Sequence, residues 1–245
     1  MSNKVHIIGP FNTGTNLLHN IIKNCNCIDL NTNEPVILED QHKPFSKHTI
    51  KIKDINEYIS NKNNLLIIMY KNVYNWLYSI QKAPYDVKFT KMYSSVELFS
   101  KTFPNMIEVY NFYYINYLSL LNQFDNVIFL DYEKIIDTPT SYDYLNTKLQ
   151  KINLSVLSKD NYYLELSRPA KQHGVSVSSA TEAQKKFEQN NDMVKRFVQQ
   201  IPSFNKSIKS ELITFFEIIN LEIIINIKDF LNYKLNIILI YIFIS

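Results

Sequence analysis

A loop that could bind an anion follows the first apolar run of the sequence. Residues 5–8 predict a short buried strand, and a helix with one apolar face is predicted from Thr15 to about Asn24. Between them, Gly9 and Gly14 have the spacing of the two glycines of a Walker A loop. Backbone N–H groups at the start of a helix carry partial positive charge, so this loop is suited to phosphate or a similar anion.

The residues after Gly14 distinguish this loop from that of an ordinary nucleoside triphosphatase. A Walker A loop continues with a lysine, which reaches the β- and γ-phosphates, and with a serine or threonine, which binds Mg²⁺. This sequence has Thr15 and Asn16 instead. We therefore expect a smaller anionic group that is bound without a metal, rather than the substrate of an ordinary ATPase or kinase.

A second anion site is predicted after the strongest strand. Residues 65–70 are six consecutive apolar residues, typical of a strand inside a parallel sheet. Lys71 follows directly, and Asn72 can cap a helix that runs to about Gln81. Ser79 lies within that helix. A cation at a strand end, a hydroxyl group and a helix start together suit a phosphate dianion.

These two segments resemble the P-loop sulfotransferase family, whose members transfer a sulfuryl group from 3′-phosphoadenosine 5′-phosphosulfate (PAPS) to an acceptor hydroxyl. Residues 11–18, FNTGTNLL, resemble the family's 5′-phosphosulfate loop, whose core is K-x-G-T. Residues 70–79, YKNVYNWLYS, resemble its 3′-phosphate motif. In that motif an arginine follows a strand, and Lys71 takes its place here. Ser79 takes the position of the motif's serine, and Val73 replaces a common proline.

The resemblance extends over residues 4–220 in the order of elements. It implies a three-layer α/β/α, P-loop NTPase-like sulfotransferase fold with a central parallel sheet in residues 1–220. The Ile-rich tail, 221–245, has no recognised counterpart in the family. The alternation of strands and helices points to the same class. PAPS is the implied cofactor, adenosine 3′,5′-bisphosphate the implied product, and no metal is expected. The implied donor-binding residues are Asn12, Thr13, Gly14, Thr15, Asn16, Lys71, Ser79, Lys171, His173 and Gly174.

Sulfuryl transfer requires a base for the acceptor hydroxyl and a group that stabilises the leaving phosphate. In the family, the loop lysine of K-x-G-T serves the leaving group. Asn12 stands at that position and can donate a hydrogen bond but carries no charge. We expect Asn12 to orient the donor and Lys47 to supply the missing charge, since Lys47 and His48 resemble a K-H pair of some relatives. His48 is the expected base, with His42 and Glu39 as alternatives in the same loop.

Two later segments resemble the family more weakly. Residues 127–130 predict a buried strand, and residues 131–135 after it resemble a Y-E-D-L segment whose role is structural. In the long loop predicted for 155–178, Gly174 is the one glycine outside the first loop. Relatives fold a basic segment over the donor there, so Lys171 and His173 are expected to contact phosphate or adenine; a mobile, solvent-exposed loop is the alternative.

The remaining elements follow from periodicity and capping signals. We predict an irregular segment at 28–48, a short strand at 49–52, a helix that begins at Ser94 or Ser95, a Tyr- and Phe-rich core helix at 105–124, a helix opened by a capping box at 179–182, and a last helix at 206–225. The loops after Ile8, Tyr70 and Leu130 should converge, because ligands of such sheets bind beyond the carboxyl ends of the strands.

Charge and composition limit the partners. The formal net charge is only +3 and the lysines are scattered, so we expect no nucleic-acid partner. No signal peptide or N-terminal membrane anchor is recognised, which favours the cytoplasm. The apolar run 237–244 is short of the ~20 residues of a spanning helix. Peripheral membrane contact through the tail is therefore the less favoured alternative.

The sequence leaves the acceptor and three rival functions open. The acceptor hydroxyl could belong to a carbohydrate, a protein tyrosine or a small molecule. A catalytically degenerate nucleotide-binding protein of the same fold is suggested by Asn12. Another P-loop nucleotide enzyme, such as a kinase, is a second alternative, and a membrane-associated interaction protein is a third.

Overall fold

The computed structural model describes residues 3–121, 124–137, 139–169, 171–172, 175–176 and 179–207. The strands are β1 (Lys4–Ile8), β2 (Cys27–Asp29), β3 (Glu34–Pro35), β4 (Ile37–Leu38), β5 (Asn64–Tyr70), β6 (Lys88–Phe89), β7 (Val96–Leu98), β8 (Lys101–Phe103), β9 (Val127–Asp131), β10 (Leu154–Val156), β11 (Lys171–Gln172) and β12 (Val175–Ser176). The helices are α1 (Thr15–Asn24), α2 (Ile52–Ile59), α3 (Val73–Lys82), α4 (Met106–Leu121), α5 (Tyr132–Ile136), α6 (Ser141–Gln150), α7 (Lys159–Ser167), α8 (Ala180–Gln199) and α9 (Pro202–Ser207).

The core is a parallel sheet with the strand order β4-β1-β5-β9, flanked by helices. All five residues of β9 and the last six of β5 are buried. Strands covered on both faces need continuous apolar runs, which is why these segments lack the alternation of a half-exposed sheet. The predicted α/β class with a central parallel sheet is therefore confirmed. None of the helices within the described residues is long and apolar enough to cross a membrane.

Helix starts agree with their capping signals. The Asn72 side chain accepts a hydrogen bond from the backbone N–H of Tyr74 at 2.9 Å. Helix α3 begins at Val73, directly after Asn72. Ser179 and Glu182 form the predicted capping box at the start of α8. The long aromatic helix predicted at 105–124 is observed as α4, and its aromatic residues are largely buried.

Two predictions about short elements were wrong because their periodicity was misassigned. Residues 49–52 form no strand, and α2 begins at Ile52, since its buried residues Ile55, Tyr58 and Ile59 have helical spacing. No helix begins at Ser94 or Ser95. The residues that follow alternate between buried and exposed, and they form the antiparallel strands β7 and β8.

Two segments predicted as irregular contain regular structure. Residues 28–48 include strand β3 and strand β4, which joins the edge of the central sheet. Residues 155–178 include most of β10 and all of α7, whose start is capped by the Ser158 side chain. Helix α9 overlaps the first two residues of the last helix predicted at 206–225, and the rest of that prediction lies outside the described residues. Residues 208–245, which contain the predicted domain boundary near 220 and the tail, lie outside the described residues.

Four buried tyrosines of α4 donate hydrogen bonds to main-chain carbonyl oxygens at two places, around the end of β5 and at residues 48–49. Tyr110, Tyr113, Tyr114 and Tyr117 donate their hydroxyls to the carbonyl oxygens of Lys71, His48, Met69 and Thr49, at 2.7, 3.2, 3.2 and 2.6 Å respectively. Buried hydroxyl groups need such partners. Helix α4 therefore fixes the backbone after β5 and the backbone at residues 48–49 together.

Gly14 is required by both its conformation and its neighbour. Its φ is 84°, and a Cβ at this position would lie 2.2 Å from the Tyr132 ring. We expect Gly14→Ala to lower the free energy of unfolding by about 3 kcal/mol, measured by denaturant titration. Asn33→Ala is the matched control, because Asn33 has a φ of 59° but is exposed. Asn33→Ala should lower the free energy of unfolding by only about 1 kcal/mol. If both substitutions lowered it equally, the contact with Tyr132 would be unimportant.

The buried imidazole of His6 should make stability depend on pH. It packs against Phe45 and Tyr58, and burial lowers its pKa from 6.5 to about 4. Below pH 6.5 the unfolded chain binds a proton that the folded protein does not, so stability falls as pH falls toward 4. Between about pH 7 and 4.5, wild type should lose about 2 kcal/mol more than His6→Leu. Urea titrations in which the unfolding free energies of wild type and His6→Leu fall by the same amount with pH would contradict this.

Candidate functional site

A cavity of about 810 Å³ lies beyond the carboxyl ends of β1, β5 and β9. The loop between β1 and α1 lines it with Asn12 and Gly14, the segment after β5 with Lys71, and the segment after β9 with Tyr132. The predicted convergence of these three loops is thus observed. Most residues that the sequence singled out lie in this one cavity.

The start of α1 presents an uncapped helix end to the cavity. Gly14 is the N-cap residue, and it makes no side-chain capping bond. Thr15 and Asn16 of the first turn line the cavity. The backbone N–H groups of a first helical turn have no partner within the helix, so they are available to an anion at this point.

The side chains of Asn12 and Thr13 both donate hydrogen bonds to main-chain carbonyl oxygens of the protein. Asn12 has a φ of 63°, which asparagine tolerates better than most residues, and its Nδ2 donates to the Ala83 carbonyl oxygen at 2.8 Å. One of its two amide hydrogens remains for a ligand. Thr13 is fully buried and donates its hydroxyl to the Pro10 carbonyl oxygen at 2.7 Å. Its side chain is thus directed inward, and Thr13, although predicted to bind the donor, is not among the residues that line the cavity.

Lys71 and Ser79 lie together, as the resemblance to the 3′-phosphate motif implies. Lys71 Nζ lies 3.2 Å from Ser79 Oγ, and both residues line the cavity. The ammonium group also lies 4.2 Å from the ring centroid of Tyr132 and 4.9 Å from that of Phe187. Burial lowers the pKa of Lys71, because the charged form is poorly solvated there. A bound phosphate would favour the charged form.

Glu133 supports the segment that carries Lys71, in line with the structural role expected for residues 131–135. Its Oε1 accepts hydrogen bonds from the Asn72 backbone N–H at 3.1 Å and from Asn75 Nδ2 at 2.8 Å. Burial raises the pKa of this carboxyl group, and its proximity favours the charged form of Lys71.

Lys47 is close to the anion loop but held by other residues. Its ammonium donates to the side-chain oxygens of Asn16 and Gln41, and its carbonyl oxygen accepts the backbone N–H of Gly9 at 2.9 Å. Burial lowers the pKa of Lys47. The geometry therefore places a cation beside the first turn of α1, although not at the position of Asn12 itself.

His48 lines the cavity, and a hydrogen bond to the main chain fixes its tautomer. Its Nδ1 lies 2.7 Å from the Gly9 carbonyl oxygen. A carbonyl can only accept, so this bond puts the proton on Nδ1 and leaves Nε2 unprotonated. Burial lowers the pKa of His48 to about 4, which keeps the ring neutral at physiological pH. Of the alternatives, His42 is exposed and Glu39 pairs with Lys4 at 3.8 Å; His48 alone of the three lines the cavity.

The late basic segment is described only in part. Lys171 lies in β11, which pairs with β12, but its side chain is not among those described. His173 and Gly174 lie outside the described residues. Arg168, which the sequence reading did not assign to the site, lines the cavity and forms an ion pair with Glu165. Its signal was the scarcity of arginine, which occurs only twice in the chain.

Comparison with known proteins gives no independent identification. No protein-family model, curated protein or solved structure matches the chain. The chemistry of the cavity is therefore the basis for assigning a function.

Proposed function

We propose that this protein is a sulfotransferase that uses PAPS and transfers its sulfuryl group to an acceptor hydroxyl. The observation that carries the proposal is the presence of two separate anion-binding groups in one cavity. One is the uncapped first turn of α1 at Gly14, and the other is Lys71 with Ser79. A nucleotide with phosphate groups on both the 5′ and 3′ oxygens matches two such groups.

The donor would lie with its 5′-phosphosulfate at residues 12–16 and its 3′-phosphate at Lys71 and Ser79. Backbone N–H groups of the first turn of α1 would hold the phosphosulfate oxygens. Glu133 orients the start of α3, and it balances the charge of Lys71 before the ligand arrives. No bound metal is required in this arrangement, because the anionic charge is met by helix ends and lysines.

His48 would act as the general base. The acceptor hydroxyl loses its proton to Nε2 as its oxygen bonds to sulfur. The bond between sulfur and the bridging oxygen of the donor breaks, and its electron pair stays on the 5′-phosphate of adenosine 3′,5′-bisphosphate. Lys47, beside the first turn, would stabilise this added charge in place of the lysine that Asn12 replaces.

A calorimetric titration tests the donor site. Purified protein would be titrated with adenosine 3′,5′-bisphosphate without magnesium, and in parallel with ADP and ATP plus magnesium. The proposal requires selective binding of the bisphosphate that Ser79→Ala weakens. A preference for magnesium-ATP would instead favour a kinase or another P-loop enzyme, and would overturn the assignment.

A nucleotide-binding protein without turnover is the second candidate. It is favoured by the hydrogen bond from Asn12 to Ala83, which engages the amide at the position of the family's loop lysine. Both candidates require bisphosphate binding. They differ in a turnover assay with PAPS and a panel of hydroxyl acceptors, in which only the enzyme forms sulfated product and releases the bisphosphate.

A further inference from the structure

A buried lysine holds two amide side chains at the anion loop. The ammonium group of Lys47 donates hydrogen bonds to Asn16 Oδ1 and Gln41 Oε1. Asn16 and Gln41 line the cavity, whereas Lys47 is 8% exposed and is not among the residues that line it. No ion pair formed within the described residues includes Lys47. Two neutral amides therefore lie between a buried cation and the cavity.

The lysine determines the orientation of both amide groups. An ammonium group can only donate hydrogen bonds, so the side-chain oxygens of Asn16 and Gln41 must face Lys47. In each amide, the NH₂ group is then the end that remains for another partner. Neither Asn16 Nδ2 nor Gln41 Nε2 donates a hydrogen bond to any of the described residues. Both NH₂ groups are therefore available to a ligand in the cavity.

The chemistry of these two amides suits an anion. A cation that binds the oxygen of an amide polarises it, and hydrogen bonds in such a chain strengthen one another. Asn16 lies in the first turn of α1, which contains no acidic residue. A carboxylate would stabilise the positive end of a helix at that place. The chain has a neutral donor there instead, which stabilises the helix less but does not repel a phosphate.

We propose that Gln41 is a further donor-binding residue, which acts with Asn16 on the 5′-phosphosulfate while Lys47 behind them fixes both amides. This inference rests on the proposed sulfotransferase function. Gln41 lies in the segment between β4 and α2, so the motif of the loop before α1 does not include it. Lys47 is then a positioning residue, and its charge acts on the leaving 5′-phosphate through neutral donors and not through direct contact.

Gln41→Glu is the decisive variant, because a carboxylate still accepts the hydrogen bond from Lys47 but has no N–H for a ligand. Calorimetry should show an affinity for adenosine 5′-monophosphate that is about 10- to 100-fold lower, and an unchanged affinity for adenosine 3′-monophosphate. The melting temperature should not fall, since a charged acceptor binds the ammonium group more strongly than an amide does. If Gln41 only supported Lys47, this variant would keep its affinity for both nucleotides.

Asn16→Asp should move stability and binding in opposite directions. Aspartate keeps an acceptor for Lys47 and places an acid in the first turn of α1, so the melting temperature should rise. The affinity for the 5′-monophosphate should fall over the same range as in Gln41→Glu. Asn61→Asp is the matched control, because Asn61 is exposed and its Oδ1 already accepts the Asn63 backbone N–H at 3.0 Å. It should leave the affinities for both nucleotides unchanged.

Lys47→Met tests the positioning role of the cation. Without the ammonium group, both amides can turn their oxygens toward the cavity, where they repel an anion. The affinity for the 5′-monophosphate should therefore fall, and that for the 3′-monophosphate should stay unchanged. A lysine that served stability alone would lower the melting temperature without this difference between the two nucleotides.

The outcomes separate this inference from the proposed function. If wild type binds adenosine 3′,5′-bisphosphate but Gln41→Glu keeps its affinity for the 5′-monophosphate, the inference is overturned and the sulfotransferase proposal stands. Equal losses for the 5′- and 3′-monophosphates in Gln41→Glu would mean general damage to the cavity, and they would also overturn the inference. Absence of bisphosphate binding by wild type overturns both proposals.

Discussion

Replacing Lys71 by methionine is expected to weaken adenosine 3′,5′-bisphosphate binding by about 10- to 100-fold. Methionine keeps an unbranched apolar side chain but removes the ammonium group that lies over the Tyr132 and Phe187 rings and beside Ser79. A hydrogen bond to a charged group is stronger than a neutral one, and its loss should appear directly in the dissociation constant measured by calorimetry.

The choice of nucleotide makes this test specific for the 3′-phosphate. Adenosine 5′-monophosphate lacks that group, so Lys71→Met should leave its affinity nearly unchanged. Lys53→Met, an exposed position on α2, removes the same charge elsewhere and should change neither affinity. If Lys71→Met lost the same affinity for both nucleotides, Lys71 would not be specific for the 3′-phosphate.

Replacing His48 by glutamine should lower kcat by about 10²- to 10⁴-fold while bisphosphate affinity stays unchanged. Glutamine can still donate a hydrogen bond to the Gly9 carbonyl oxygen, which His48 Nδ1 contacts at 2.7 Å. It has no basic nitrogen for the acceptor proton. Turnover of sulfated product and calorimetric binding of the bisphosphate would be measured on the same preparation.

His42→Gln is the matched control for this variant, because His42 is an exposed histidine of the same loop. It should retain wild-type kcat. The acid limb of the wild-type pH–rate profile should lie near pH 4, since a base with a pKa of about 4 stays unprotonated above it. Full activity of His48→Gln would remove His48 from the mechanism and leave its role as a tether for Gly9.

The sequence predicted the elements whose signals are local. Glycine spacing located the loop before α1, an apolar run located β5, and Asn72 marked the start of α3. Lys71 and Ser79 were paired through the resemblance to the family's 3′-phosphate motif, and the structure brings their side chains together.

The parts of the site that depend on long-range packing were not predictable in the same way. Arg168 reaches the cavity, and Glu133 reaches the backbone after β5, through long-range packing that no local pattern encodes. The hairpin at β7 and β8 was missed because its turn is Phe-Ser rather than a turn-forming pair. Asn12 lines the cavity, but its amide also donates to the Ala83 carbonyl oxygen, a contact between distant segments that the sequence does not indicate.

The tyrosines of α4 donate hydrogen bonds to the main chain of the site. Tyr110 and Tyr113 donate to the carbonyl oxygens of Lys71 and His48, not to their side chains. A carbonyl oxygen is present whatever residue occupies the position, so both side chains can be exchanged without loss of this anchoring. Evolution could accordingly replace the reactive groups at positions 48 and 71 one at a time on an unchanged scaffold. Loss of a tyrosine hydroxyl from α4 would instead remove a hydrogen bond that fixes the backbone, whatever side chain stands at positions 48 and 71.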